Sequence, residues 1–74
     1  MGTLTKETSK MLIRESKEQL KLYHINLRKY DVEIIQDEND VTATVFFTSK
    51  ITGNIIYVEC YYNEKEVLQT GVYL

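Results

Sequence analysis

The spacing of apolar residues along the chain changes near residue 29. Up to that point, apolar residues recur at every third or fourth position among Lys, Glu, Gln and Arg, which are good helix formers. Beyond it, apolar and polar residues alternate, as they do in strands that bury one face. The pattern predicts a helix over about residues 5–28 and a sheet over about residues 30–74. Thr3 or Thr5 is expected to cap the helix, because a threonine hydroxyl can accept a free N–H of the first turn.

Short polar segments divide the second part of the chain into four predicted strands. The turns are expected at residues 37–40, 51–54 and 63–66. Connections of this length favour antiparallel pairing of neighbouring strands. We therefore expect residues 1–74 to form a single two-layer α+β domain. In it, one N-terminal amphipathic helix packs on a four-stranded antiparallel meander, in the order α-β-β-β-β.

The alternation also predicts which face of the sheet the helix covers. The more consistently apolar set is placed inward and comprises Val32, Ile34, Val41, Ala43, Val45, Phe47, Ile56, Val58, Cys60, Leu68 and Val72. The other face is expected to be open, although it is rich in large rings. It comprises Glu33, Ile35, Thr42, Thr44, Phe46, Ile55, Tyr57, Glu59, Tyr61, Val67, Gln69 and Tyr73.

Residues of a helix follow one another about 100° apart, which sorts the predicted helix into three stripes. The core stripe is Leu12, Ser16, Leu20, Tyr23 and Leu27, with Ile13 at its edge. The basic stripe is Lys6, Lys10, Arg14, Lys17, Lys21, His24 and Arg28. The mixed stripe is Met11, Glu15, Glu18, Leu22 and Ile25. Like charges four residues apart cost an isolated helix about 0.2–0.5 kcal/mol per pair, so the basic stripe is mildly destabilising.

The net charge of −2 hides an uneven distribution along the chain. Residues 1–29 hold seven Lys or Arg and three Glu, a net charge of +4. Residues 30–74 hold two Lys and eight Asp or Glu, a net charge of −6. The predicted helix is therefore basic and the predicted sheet is acidic.

Composition indicates a small folded domain. The chain has 74 residues, of which 43% are hydrophobic and 27% charged, and no uncharged apolar stretch has the length of a membrane span. A chain of this size buries only about 60% of its unfolded surface, so its core is small. Its single cysteine, Cys60, cannot form an internal disulfide, which favours a reducing compartment. We expect an intracellular, cytoplasmic protein.

The residues that could carry chemistry do not form a catalytic or metal-binding pattern. Cys60 is predicted on the inward face of a strand and His24 on the outer face of the helix, so they are not expected to meet as nucleophile and base. Three acidic residues at positions 37, 38 and 40 lack the glycine and the twelve-residue spacing of a calcium loop. One helix on one sheet also offers no obvious cleft. No enzyme activity, cofactor or metal is expected.

Two sets of apolar residues are candidate protein contacts. The first is on the open sheet face and comprises Phe46, Tyr57, Tyr61 and Tyr73. The second is on the mixed helix stripe and comprises Met11, Leu22 and Ile25. The ordinary alternative is that outward tyrosines pack on cross-strand neighbours and that scattered exposed apolar residues need no partner. Burying the first set in a homodimer would extend a small core.

Nucleic-acid binding is an alternative function. Its candidate residues are the cations Lys10, Arg14, Lys17, Lys21 and Arg28, which could follow a phosphate backbone. A solvated helix face is the simpler explanation, because the acidic second part of the chain would repel a polyanion. A small molecule between helix and sheet is a minor option. Imitation of a phosphate backbone by the acidic residues is another, for which −2 is a weak charge.

The leading hypothesis is a non-enzymatic intracellular module that acts by protein association. We expect a homodimer, contact with another protein, or both, with a regulatory or inhibitory role such as small bacterial or phage proteins have. No residue pattern identifies the partner.

Overall fold

The computed structural model of the chain describes residues 4–37 and 41–74. Helix α1 is followed by four strands, and the elements are α1 (Lys6–Leu22), β1 (Tyr30–Gln36), β2 (Thr42–Ser49), β3 (Ile55–Tyr62) and β4 (Val67–Tyr73). The strands form one sheet in the order β1-β2-β3-β4, and every neighbouring pair is antiparallel. The helix lies against the sheet and contacts all four strands. The predicted α+β architecture is confirmed, while part of the first predicted turn, residues 38–40, lies outside the described residues.

α1 begins where the sequence predicts, at a threonine cap. Thr5 has an extended backbone, and its Oγ1 accepts the N–H of Thr8 at 3.1 Å. This bond satisfies one of the first-turn donors that no helical carbonyl can reach. The carboxylate of Glu7 lies in the same turn, where the helix dipole favours negative charge. The other candidate cap, Thr3, lies outside the described residues.

α1 ends earlier than the sequence pattern predicts, because the chain turns into the left-handed region at His24. Its φ is 60°, and its N–H donates to the carbonyl of Lys21 at 3.0 Å. The next N–H, from Ile25, reaches back to the carbonyl of Leu20 at 3.3 Å. These two bonds form a Schellman motif, which satisfies carbonyls at the helix end. The predicted helix as far as residue 28 is therefore wrong.

The premature end is linked to packing beyond the helix. A left-handed backbone costs a residue with a β-carbon about 1–2 kcal/mol, and glycine normally occupies this place. Here the turn directs Ile25 back onto the core cluster that contains Leu20, and Leu27 packs there as well. Burial of these side chains offsets the cost at His24. The sequence pattern placed Ile25 and Leu27 on helical stripes, whereas they reach the core from an irregular segment.

The core lies between the helix and the inward face of the two central strands. Its fully buried side chains are Leu12, Ser16, Leu20, Ala43, Val45, Phe47, Val58 and Cys60. The hydroxyl of Ser16 lies 3.6 Å from the sulfur of Cys60, so the one buried polar group of the helix has a partner. The predicted inward position of the central residues is confirmed. Tyr23 was also predicted to lie in the core, but it follows the end of the helix and is 51% exposed.

A β-bulge changes the faces at the start of β4. Tyr61 pairs with Gln69, but the next residue, Tyr62, pairs with Val67, so the register shifts by one residue. Val67 consequently packs against the core, whereas Leu68 is 60% exposed. The sequence alternation predicted the reverse. The inserted residue of a bulge reverses which side chains of the strand face inward beyond it. Because Val67 and Leu68 are both aliphatic, the hydrophobic pattern could not show which of them faces the core.

Three further predicted positions differ at the margins of the sheet. Val41 lies just before β2 and is exposed, and Val32, on the edge strand β1, is partly exposed, so neither is a core residue. Thr42 lies on the open face, as predicted, where it pairs with Tyr61, but it is buried. Its hydroxyl donates to the Asp37 carboxylate at 2.6 Å. The helix therefore seals the centre of the inward face and leaves part of its margin in water.

Replacing His24 by glycine should stabilise the fold. Glycine adopts φ of 60° without a β-carbon penalty, and the gain exceeds the entropy that glycine adds to the unfolded chain. We expect the free energy of unfolding to rise by about 0.5–1 kcal/mol and the midpoint of thermal unfolding by about 2–8 °C, measured by circular dichroism. His24→Ala is the control, because it removes the imidazole and keeps the strain. Equal stability of the two variants would contradict this account of the helix end.

Candidate functional site

The face of the sheet opposite the helix carries a row of aromatic side chains. The strand register aligns Glu33, Phe46, Tyr57 and Tyr73 across all four strands. Phe46 and Tyr57 are in contact, with ring centroids 5.7 Å apart and an interplanar angle of 38°. Tyr57 stacks on Tyr73 with centroids 4.8 Å apart and an angle of 13°. We call Phe46, Tyr57 and Tyr73 the aromatic row.

The ring at the end of the aromatic row is fixed by the strand beneath it. A β-carbon built at Gly71 would lie 3.5 Å from the Cε1 atom of Tyr73, so this ring leans back over the glycine. Glycine weakens a strand because it has no side chain to pack, and a neighbouring ring that covers it compensates. Contact with Gly71 on one side and Tyr57 on the other restricts the Tyr73 ring. The Tyr73 ring is therefore held by contacts within the chain itself.

Further apolar side chains extend this surface. Tyr61, Ile35 and Ile55 lie on the same face, and they are exposed, as are Tyr57 and Tyr73. Side chains of this size have about 200 Å² each, so their exposed fractions leave roughly 450 Å² of mostly apolar surface. The largest apolar patch on a typical monomer covers about 300–600 Å² and is often functional. The open face thus lies within the range of known contact surfaces.

The charged groups on the open face are mainly acidic. Glu33 ends the aromatic row on the edge strand β1, and Glu59 lies beside the row on β3. Asp31 is offset by Lys50, whose Nζ lies 3.6 Å from the carboxylate Oδ1. This pair is exposed and contributes little to stability. The open face is therefore aromatic in the centre, and among the described residues Glu33 and Glu59 form no ion pair.

A second surface, on the helix side of the molecule, is a groove between α1 and the segment that follows it. Its volume is about 860 Å³, and its lining residues are Lys10, Ile13, Arg14, Lys17, Glu18, Lys21, Ile25, Asn26, Leu27 and Arg28. All five cations that the sequence suggested for nucleic acid binding line this groove. Four come from the helix, and the fifth, Arg28, comes from the segment after it. We call this surface the basic groove.

The segment after the helix has its own local support. The side chain of Asn26 accepts the N–H of Arg28 through Oδ1 at 3.0 Å, which closes a small Asx turn. Ile25 and Leu27, on either side of Asn26, pack against the core. The segment is thereby held beside the helix with Arg28 facing the groove. The helical periodicity predicted Arg28 beside the other cations on one continuous helix. In the structure, the turn after α1 brings Arg28 to the groove that these cations line.

Two of the three apolar residues of the mixed helix stripe are drawn into the core. Met11 and Ile25 are partly buried and pack against the core, and Ile25 lies beyond the end of the helix. Leu22 alone of the three is largely free, with 73% of its surface exposed. The structure therefore disperses Met11, Leu22 and Ile25, and only the open-face set is assembled.

The groups that could carry catalysis are not brought together. Cys60 is buried in β3, whereas His24 is exposed after the helix. Burial raises the pKa of the Cys60 thiol, the negative charges of Glu15 and Glu59 raise it further, and the hydrogen bond with Ser16 opposes the rise. A thiol with a raised pKa is a poor nucleophile at neutral pH, because the thiolate is the reactive form.

Residues 4–37 and 41–74 contain no group of three or more His, Cys, Asp or Glu side chains placed to hold a metal ion. No helix in these residues combines the length and apolar character needed to cross a bilayer. Comparison with protein-family models, with curated proteins and with solved structures finds no match to this chain.

Cys60 should be inert towards thiol reagents in the folded protein. Its burial excludes the reagent, and its raised pKa lowers the thiolate fraction. We expect iodoacetamide at mildly alkaline pH to label Cys60 at least about a hundredfold more slowly in buffer than in denaturant, as measured by mass spectrometry. Equal rates under the two conditions would show that the thiol is accessible and would reopen the case for nucleophilic chemistry.

Proposed function

We propose that this chain is a non-enzymatic protein-association module in which the open face of the sheet binds a second copy of the chain. The observation that supports the proposal is the aromatic row, three ordered rings in contact across three strands on a face that the helix does not cover. Rigid aromatic side chains supply much of the energy of protein contacts, since they bury large areas at a small cost in conformational entropy.

The area of the open face favours a second copy as the occupant. A stable protein interface buries about 800 Å² on each partner, of which somewhat more than half is apolar. The roughly 450 Å² of apolar surface on this face matches that apolar share. A two-fold axis near Tyr57 would place one aromatic row against the other and close the assembly at two chains. The dimer would then be a two-sheet sandwich with a helix on each outer side.

The acidic groups on the open face limit the strength of this contact. A face-to-face pair brings Glu33 and Glu59 of both copies into one interface, where like charges repel. The apolar contact must exceed this repulsion, so the dimer is expected to be reversible. Because this electrostatic contribution opposes association, the effect of salt on the dimer dissociation constant tests it separately.

Removing one tyrosine from the open face should weaken self-association. We expect Tyr61→Ser to raise the dimer dissociation constant by about tenfold, and Tyr57→Ser combined with Tyr61→Ser by more, in sedimentation velocity over a range of concentrations. Tyr23→Ser is the matched control, because Tyr23 is exposed to a similar degree, 51% against 46%, and lies off the open face. Circular dichroism verifies that each variant is folded. A wild-type chain that is monomeric at high micromolar concentration would refute the proposal.

Salt should strengthen the dimer. Raising the salt concentration from about 50 mM to about 500 mM shortens the Debye length from roughly 14 Å to roughly 4 Å and screens the repulsion between Glu33 and Glu59 of the two copies. We expect the dissociation constant to fall by about two- to fivefold, measured by sedimentation velocity at each salt concentration. The variant Glu33→Gln should respond less to salt. A dimer that weakens with salt would show that opposite charges join the copies, which is incompatible with open-face pairing.

A further inference from the structure

The basic groove brings five cations together on one surface. Four of its cations are spaced three or four residues apart on α1, so they project to one side. None of them, nor Arg28, forms an ion pair with a residue of the described parts of the chain. One carboxylate, that of Glu18, lines the groove beside five cations. A site with this balance attracts a negatively charged ligand.

The floor of the groove is apolar. Ile13 on the helix and Ile25 and Leu27 on the following segment line it, and all three are partly exposed while they pack on the core. The groove extends along residues 10–21 of the helix, a length of about 16 Å at 1.5 Å per residue. Three helical turns, or about five extended residues, have that length. The site therefore fits a short segment that has both apolar and acidic side chains.

We propose that the basic groove binds an acidic amphipathic segment of a partner protein. Apolar side chains of the segment contact the floor formed by Ile13, Ile25 and Leu27, and its carboxylates pair with the flanking cations. Recognition of an amphipathic helix by an apolar groove with charged borders follows the same physical scheme. Charge complementarity directs the approach of the segment, and the apolar floor holds it once it is in place.

Nucleic acid fits the same groove less well. Proteins that bind single strands usually stack bases on aromatic side chains, and no aromatic residue lines this groove. A phosphate backbone can cover the three aliphatic side chains of the floor only by losing part of its own hydration, which costs free energy. The apolar side of a peptide covers them without that cost. The carboxylate of Glu18 within the groove also opposes a continuous polyanion. Oligonucleotide binding is therefore the competing outcome that the experiment must distinguish.

The groove is independent of the proposed dimer contact. It is formed by the helix and the segment after it, on the side of the sheet opposite the aromatic row. A dimer joined by its open faces would leave one groove accessible on each outer side. Failure of dimerisation therefore leaves the groove proposal intact, and the reverse also holds.

The experiment uses the full chain and a defined peptide. The probe is a fluorescein-labelled peptide of about fourteen residues in which Leu recurs at every third or fourth position and Glu fills most of the others. Fluorescence anisotropy at low salt is expected to show saturable binding that weakens as salt rises. Two matched peptides separate the contributions, one with Leu replaced by Ser and one with Glu replaced by Gln. Each is expected to bind at least about tenfold more weakly.

Protein variants locate the binding site. Arg14→Glu combined with Lys17→Glu is expected to weaken peptide binding by about tenfold or more, since it reverses charge at the centre of the groove. The control is Lys65→Glu, which makes the same kind of change in the exposed turn between β3 and β4, away from the groove. Circular dichroism confirms the fold of each variant. Both groove substitutions lie at exposed helix positions, so the chain should tolerate them.

Four results would overturn the proposal. The first is no saturable binding of the Leu and Glu peptide at concentrations up to about 1 mM, the weak end of specific binding. The second is equal binding of the peptide with Ser in place of Leu, because the apolar floor would then contribute nothing. The third is tighter binding of a labelled single- or double-stranded oligonucleotide than of the peptide at the same salt. The fourth is an equal loss of binding in Lys65→Glu, which would show a non-specific response to total charge.

Discussion

One helix can cover only one face of a four-stranded sheet, and this constraint determines which apolar side chains stay exposed to water. α1 has 17 residues and a length of about 25 Å, enough to seal the centre of one face. The fully buried residues lie along that contact, mainly on β2 and β3. The remaining apolar side chains have no second layer to pack against. Exposure of the aromatic row follows from the number of elements, because a face of this kind leaves water only when a second layer packs on it.

The turn at His24 connects local backbone geometry with the second surface. Because the backbone becomes left-handed there, the chain leaves the helical path and brings Ile25 and Leu27 onto the core. The same reversal places Arg28 on the groove that Lys21 also lines, rather than two turns further along a straight helix. A groove exists only because the segment runs back beside α1. A residue that is strained by its conformation thus contributes to both core packing and the shape of the basic groove.

The sequence determines some of these features more clearly than others. Alternation and turn residues predicted all four strands and the ring-rich open face, since strand period and polar turns are local signals. The end of α1 was not predictable in the same way, because a left-handed backbone is a minor conformation even for histidine, and at His24 it is linked to the packing of Ile25. The bulge at β4 depends likewise on which of Val67 and Leu68 packs better. The cations of the groove were identified through a helix that does not extend to Arg28.

The open face is acidic and the groove is basic, so the open face of one copy is attracted to the groove of another. Such a head-to-tail contact would use different surfaces on each copy and would continue into a filament instead of closing. Shape opposes it. The open face is a sheet surface four strands wide, whereas the groove lies between α1 and residues 25–28. The side chains of a sheet surface, such as Tyr57 and Glu59, do not match the shape of a groove whose floor is Ile13 and Leu27. In the two proposed contacts, sheet meets sheet and groove meets segment, so shape would add the selectivity that charge alone does not supply.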